Sequence, residues 1–187
     1  LVRLAQIVSV AAMVLAAMPG VAADTVVVTD ARGTVSVPRN PQRVVVFDLA
    51  ALDTLDALGV AVDGVPGGLL PPALSKYASD AYAKVGTLFE PDYEAVAALA
   101  PDLIIIGGRS STKHQELSRI APTIDLTVAA TDTMAGVTRN VEQLGRIFAK
   151  EREAADQLAA LHRSIEALRA TAATAGDGLL VLTTGTK

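Results

Sequence analysis

The chain has 187 residues, a formal net charge of −4 and no cysteine. The acidic balance argues against nucleic acid or an anionic membrane surface as a partner. Without cysteine, these residues can form no disulfide, thiolate metal site or cysteine nucleophile.

In chain order, residues 1–23 read as a signal peptide. Arg3 supplies the positive start, Leu4 to Met18 an uncharged apolar stretch, and Val21-Ala22-Ala23 the small residues that a signal peptidase requires. The stretch falls short of the roughly 20 apolar residues of a spanning helix. The expected mature chain begins near Asp24, is exported to the periplasm without membrane insertion and, with no cysteine to acylate, is not a lipoprotein.

Thr25 to Thr29 and Thr34 to Val37 are β-branched runs around Asp30-Ala31-Arg32-Gly33, which predicts a hairpin. Arg43 to Phe47 predicts a buried strand. Asp48 then caps a helix with Leu49, Leu52, Leu55 and Leu58 on one side, closed by Gly59. Val60 to Val65 and Lys84 to Gly86 read as further strands, separated by a Pro- and Gly-rich loop from Pro66 to Pro72 long enough to reach a site. Asp92 caps a second helix, with Tyr93, Val96, Ala97 and Ala100 on one face and Pro101 as its stop. Leu103 to Ile106 is a continuous apolar strand pattern that ends in Gly107 and Gly108, so Arg109 arrives at a strand's carboxyl end. A helix near Thr112 to Ile120 and a short strand at Ile124 to Leu126 follow.

From Thr133 the apolar spacing is helical. Met134, Val137, Val141, Leu144 and Phe148 form one stripe and Ala154, Leu158, Leu161, Ile165 and Leu168 another, out of phase, which predicts two helices breaking near Ala149 to Glu151. The second, from Glu151 to about Ala175, would run roughly 37 Å at about 1.5 Å per residue. Leu179 to Thr183 predicts a new strand.

The alternation implies an α/β fold. It divides into a Rossmann-like N-terminal lobe with a parallel sheet over 24–132, a helical connector with a long backbone helix over 133–175, and the first strand of a second α/β lobe over 176–187. The rest of that lobe is expected to be missing, because a strand needs a sheet to join.

Ligands of open parallel sheets bind at the carboxyl ends of strands, so Arg109 is a candidate anion contact. Ser110, Ser111 and Lys113 follow on the same loop and helix start. Ser110 and Ser111 read equally as helix caps, and Lys113 as a solvated charge. Lys84 closes the preceding strand and is expected to face the same cleft. Phe47, Asp48 and Leu49 close the first strand and are candidates for the cleft floor, with core packing and a helix cap as the alternatives. Glu94 lies in a helix's first turn, where the helix dipole favours a negative charge. His114 and His162 are too isolated for a metal site. No Gly-x-Gly-x-x-Gly follows a strand and no serine has a nucleophile-elbow context, so neither an enzyme nor a cofactor is expected.

Several segments together resemble a known family. These are Pro41-Gln42-Arg43-Val44-Val45-Val46-Phe47-Asp48, Leu52 to Val60, Gly86-Thr87 to Glu94, Pro101 to Arg109, Ala121-Pro122-Thr123 and Asn140 to Glu151. In order and spacing they are similar to periplasmic ferric-siderophore binding proteins of ABC importers, most of all the branch for catecholate-type siderophores. The resemblance implies a monomer of two α/β lobes on one long helix, with a ferric siderophore between the lobes and an ABC transporter permease as partner. It also implies that an arginine at the place of Arg109 contacts the ligand and that a glutamate at the place of Glu94 pairs with permease arginines. Second-lobe ligand contacts of the family find no counterpart in this chain. The alternatives are haem or cobalamin as ligand on the same fold, an exported α/β enzyme, and a truncated remnant that does not bind.

Overall fold

The computed structural model describes residues 24–176 and 178. The expected signal peptide and the expected strand at Leu179 to Thr183 lie outside the described residues. The predicted hairpin is present as β1 (Thr25–Asp30) and β2 (Gly33–Pro38), paired antiparallel.

Five strands form the main sheet: β3 (Val44–Val46), β4 (Gly64–Val65), β5 (Ala83–Lys84), β6 (Leu103–Ile106) and β7 (Thr123–Asp125). Their order is β5-β4-β3-β6-β7 and every pairing is parallel. The helices are α1 (Leu49–Ala57), α2 (Tyr93–Leu99), α3 (His114–Leu117), α4 (Thr133–Ile147) and α5 (Glu151–Ala172).

Continuous apolar strands are what a sheet covered on both faces requires. Val44, Val46, Leu103, Ile105 and Ile124 pack on one face against Leu52 and Leu55 of α1 and Leu144 and Ile147 of α4. Val45, Phe47, Ile104 and Ile106 pack on the other against Val96 of α2 and Leu117 of α3. Each such side chain contributes roughly 1.5–3 kcal/mol by leaving water.

Three elements differ from expectation. The predicted strand at Val60 to Val65 shrinks to β4, because the Val60 N–H is taken by the Leu55 carbonyl at the end of α1 (2.9 Å). In α2 only Val96 is buried; Ala97 and Ala100 face outward, and Ala100 ends the helix in the left-handed region (φ 45°). The predicted helix at Thr112 to Ile120 gives way to a 3-10 turn, Gly108–Lys113, followed by the single turn of α3.

The break between the last two helices falls as predicted, with Ala149 at φ 52°. Gly145 makes it possible: a Cβ there would lie 2.8 Å from the Ala154 Cβ, so only glycine lets the start of α5 approach the end of α4 this closely. At 22 residues α5 spans about 33 Å. Ala154 and Leu158 are its buried positions, and Leu168 beyond them is exposed.

Candidate functional site

β3 and β6 lie side by side, and the chain leaves them in opposite directions. From β3 it passes through α1 to β4, and from β6 through the Gly108–Lys113 turn and α3 to β7 on the other side. The crevice where such connections diverge is where parallel sheets take ligands. A cleft of about 430 Å³ opens there. Phe47, Asp48 and Leu49 line it from the β3 side, Gly107, Gly108 and Arg109 from the β6 side, and Leu88 from the loop after β5.

Arg109 is exposed, and among the described residues its guanidinium makes no hydrogen bond or ion pair. It stands 5.9 Å from the centroid of the Phe89 ring, within cation–π range. The cleft therefore offers a cation with unused donors beside an exposed aromatic face, which suits an anion that itself carries rings.

The turn that carries Arg109 is held from several directions. The Gly108 N–H donates to Thr127 Oγ1 (2.8 Å). The buried Ser110 Oγ accepts from the Gly107 N–H (3.1 Å) and lies 3.1 Å from the carbonyl oxygens of Phe47 and Gly107, to one of which it donates. This ties the end of β6 to the end of β3. Lys113 Nζ reaches the Glu90 carboxylate (3.0 and 3.1 Å), linking the turn to the loop that bears Leu88 and Phe89. That loop is itself tight, with Thr87 Oγ1 accepting from the N–H groups of Phe89 and Glu90.

Two carboxylates shape the local field. Burial pushes the Asp48 carboxyl above its ordinary range, against the backbone N–H groups of α1 that it caps and the charge of Arg109. At Asp125 burial acts upward too, but hydrogen bonds from Ser111 and Thr127, together with Arg32, outweigh it and hold the carboxyl below its ordinary range.

Of the residues singled out in the sequence, Phe47, Leu49 and Arg109 come together around the cleft. Phe47 is fully buried and serves both as floor and as core. Ser110, Lys113 and Lys84, expected at the cleft, do not line it. Ser110 is completely buried and fastens the turn, so it offers nothing to a ligand. Lys113 is neutralised by Glu90 and does not line the cleft. Lys84 does not line it either: on edge strand β5 its ammonium donates to the carbonyls of Tyr77, Ser79 and Tyr82 at 2.7–2.9 Å, which uses all three of its N–H bonds. Glu94 lies apart from the cleft, exposed in the first turn of α2 and free of ion pairs among the described residues. The sequence reading passed over Leu88, Phe89 and Arg32. An exposed aromatic in a tight loop between strand and helix was the available sign for Phe89.

Among the described residues no group of three His, Asp or Glu side chains is placed to hold a metal ion, and no helix is long and apolar enough to cross a membrane.

The periplasmic binding protein family matches this chain over residues 44–187. The petrobactin-binding protein YclQ of Bacillus subtilis is 48% identical over 145 residues, covering 76% of this chain and 45% of that protein. Its crystal structure superposes with a TM-score of 0.80 at 43% identity, over 82% of this chain and 55% of that one. The periplasmic catecholate-siderophore binding protein VctP of Vibrio cholerae gives a TM-score of 0.70 at 36% identity, over 77% of this chain and 52% of that one. The chain spans about half the length of the relatives it matches. With the match running from the first core strand onward and the sheet superposing on solved members, the chain belongs to the periplasmic binding protein family.

Proposed function

We propose that this protein captures a ferric siderophore of catecholate type outside the cytoplasmic membrane and delivers it, without chemistry of its own, to the permease of an ABC importer. The observation that carries the reading is Arg109, a guanidinium with no partner among the described residues, beside the Phe89 ring at the sheet's switch point. A ferric tris-catecholate is a compact anion with aromatic faces, and its iron is already fully coordinated. The protein then has to supply charge, a ring and shape, and the cleft has each of these. A turn tied down before the ligand arrives keeps the ordering cost of binding low. Relatives named for petrobactin and for catecholate siderophores support the ligand class. The reading also makes the protein a monomer of the periplasm, with Glu94 on the exposed start of α2 as the group that meets permease arginines.

Calorimetric titration of the full-length protein with a ferric hexadentate tris-catecholamide tests it, with ferric dicitrate as an anion lacking rings. Binding of the catecholate complex in preference to the citrate is expected. Equal affinity for both would remove the aromatic preference, and binding of neither would overturn the reading. For docking, Glu94→Ala is expected to bind the chelate normally and lower uptake into cells; normal uptake would remove that role.

A further inference from the structure

The family match begins at Val44, so the β1–β2 hairpin lies ahead of it. The tip of that hairpin nevertheless reaches the turn on which the cleft depends. Arg32 donates from Nε to the Asp125 carboxylate at the end of β7 (3.0 Å), and from Nη2 to the carbonyl oxygen of Ser111 and to its Oγ (3.1 Å to the latter). Ser111 Oγ also donates to Asp125. The other oxygen of that carboxylate accepts from the hydroxyl and the N–H of Thr127. Thr127 Oγ1 in turn accepts from the Gly108 N–H (2.8 Å). Arg109 thus lies between Gly108 and Ser111, and both are tied to one carboxylate whose side chain is 1% exposed.

The hairpin is itself seated. The Ala31 N–H donates to the Asp125 carbonyl (2.9 Å), the Asp125 N–H donates to Asp30 Oδ2 (2.9 Å), and the Thr29 N–H donates to Gln143 Oε1 on α4. The charge of Arg32 is matched by Asp125, so it adds little net positive charge to the cleft. What it supplies is a rigid planar fork whose separate nitrogens reach acceptors on two elements at once, a fixed geometry that the single ammonium of a lysine does not reproduce.

We propose that Arg32 is a positioning residue for ligand capture: through Asp125 and Ser111, the hairpin clamps the turn at 108–111 and so holds the Arg109 guanidinium over the cleft before the ligand arrives. This rests on the reading of Arg109 as the anion contact. Releasing the clamp leaves the same cation in place but adds the ordering of its turn to the cost of binding. That amounts to about threefold to tenfold in affinity for one side chain and its backbone.

The test combines two measurements on the full-length protein: amide hydrogen exchange without ligand, and calorimetric titration with a ferric hexadentate tris-catecholamide. The variants are Arg32→Ala, Arg32→Lys, Arg109→Ala and the Arg32→Ala/Arg109→Ala pair. Both Arg32 substitutions are expected to speed exchange at Gly108 and to weaken binding by about threefold to tenfold. Arg32→Ala is expected to cause no further loss once Arg109 is gone, the non-additivity of residues acting through one another. Unchanged exchange at Gly108, wild-type affinity in Arg32→Lys, or an equal loss in both backgrounds would each overturn the proposal. The last would make Arg32 a direct charge contact. Should Arg32→Ala unfold, Arg32→Lys in both backgrounds carries the same test, because it keeps a cation opposite Asp125. If Arg109→Ala binds normally, the reading of the cleft fails and the positioning role with it, a result distinct from an Arg109-dependent affinity that ignores Arg32.

Discussion

The carboxyl ends of β5 and β6 each carry a cation, and the fold uses the two in opposite ways. Lys84, on the edge strand, turns back onto three carbonyls around the 3-10 segment Pro72–Ala78 and pins that segment to the sheet. Arg109, beyond a strand flanked on both sides, stands at the switch point with its donors unused among the described residues. Its turn is held by other groups: Ser110 across to β3, Thr127 and Ser111 to the Asp125 hub, and Lys113 to Glu90. A charge is available to a ligand only where neighbouring backbone and side chains are satisfied without it. That condition, more than the charge itself, separates a binding residue from a fastening one.

The contrast can be broken at several points. The largest effect is expected from Gly86→Ala, just past β5. Gly86 has φ 98°, and a Cβ there would lie 2.4 Å from the Asp92 nitrogen and the Glu90 carbonyl oxygen. The substitution should cost about 2–3 kcal/mol in a denaturant melt and displace the loop that bears Leu88 and Phe89. Next, Arg109→Ala should weaken binding of a ferric tris-catecholamide at least tenfold, about 1.4 kcal/mol, with an unchanged melting temperature. An unchanged affinity would place the site elsewhere. Lys84→Met should do the reverse, leaving affinity alone and lowering stability by about 1 kcal/mol, since its hydrogen bonds are charge-assisted but two of the three are exposed. A loss of affinity there would restore Lys84 to the cleft.

The smallest effect concerns Asp48, beside Arg109. Its carboxyl is raised by burial, so its ionised form weighs against the fold at neutral pH, and stability recovers as pH falls through that raised value. Asp48→Asn keeps a good helix cap. It should therefore melt slightly higher at pH 7, with the difference shrinking as pH falls through the raised value. Asp125 has the opposite sign. Held below its ordinary range, it contributes stability that is present above the ordinary carboxylate pKa and is lost as pH falls through its lowered value. A destabilised Asp48→Asn at pH 7 would show that the ionised carboxylate is needed there.

Arg109 was legible because its placement depends on neighbours in sequence: a continuous apolar run, two glycines, then a charge. The helix break near Ala149 was legible for a similar reason, as a phase slip between two apolar stripes. Ser110 was not, because whether a hydroxyl after a strand meets ligand or the next strand depends on how the turn folds against β3. Lys84 failed because its strand lies at the edge of the sheet, which no local pattern reports. Arg32 read only as a turn residue; its partner Asp125 is 93 residues away.

The sequence alone determined the alternation of strand and helix, the strands buried on both faces, the helix caps at Asp48 and Asp92, and the family. These follow from propensity, periodicity and short motifs, which act over a few residues. Only the tertiary structure decided the strand order, hence the position of the switch point, and which of Lys84, Arg109 and Lys113 has no partner among the described residues. Strand pairing and charge neutralisation are set by contacts between residues far apart in the chain, and those contacts exist only once the sheet has assembled.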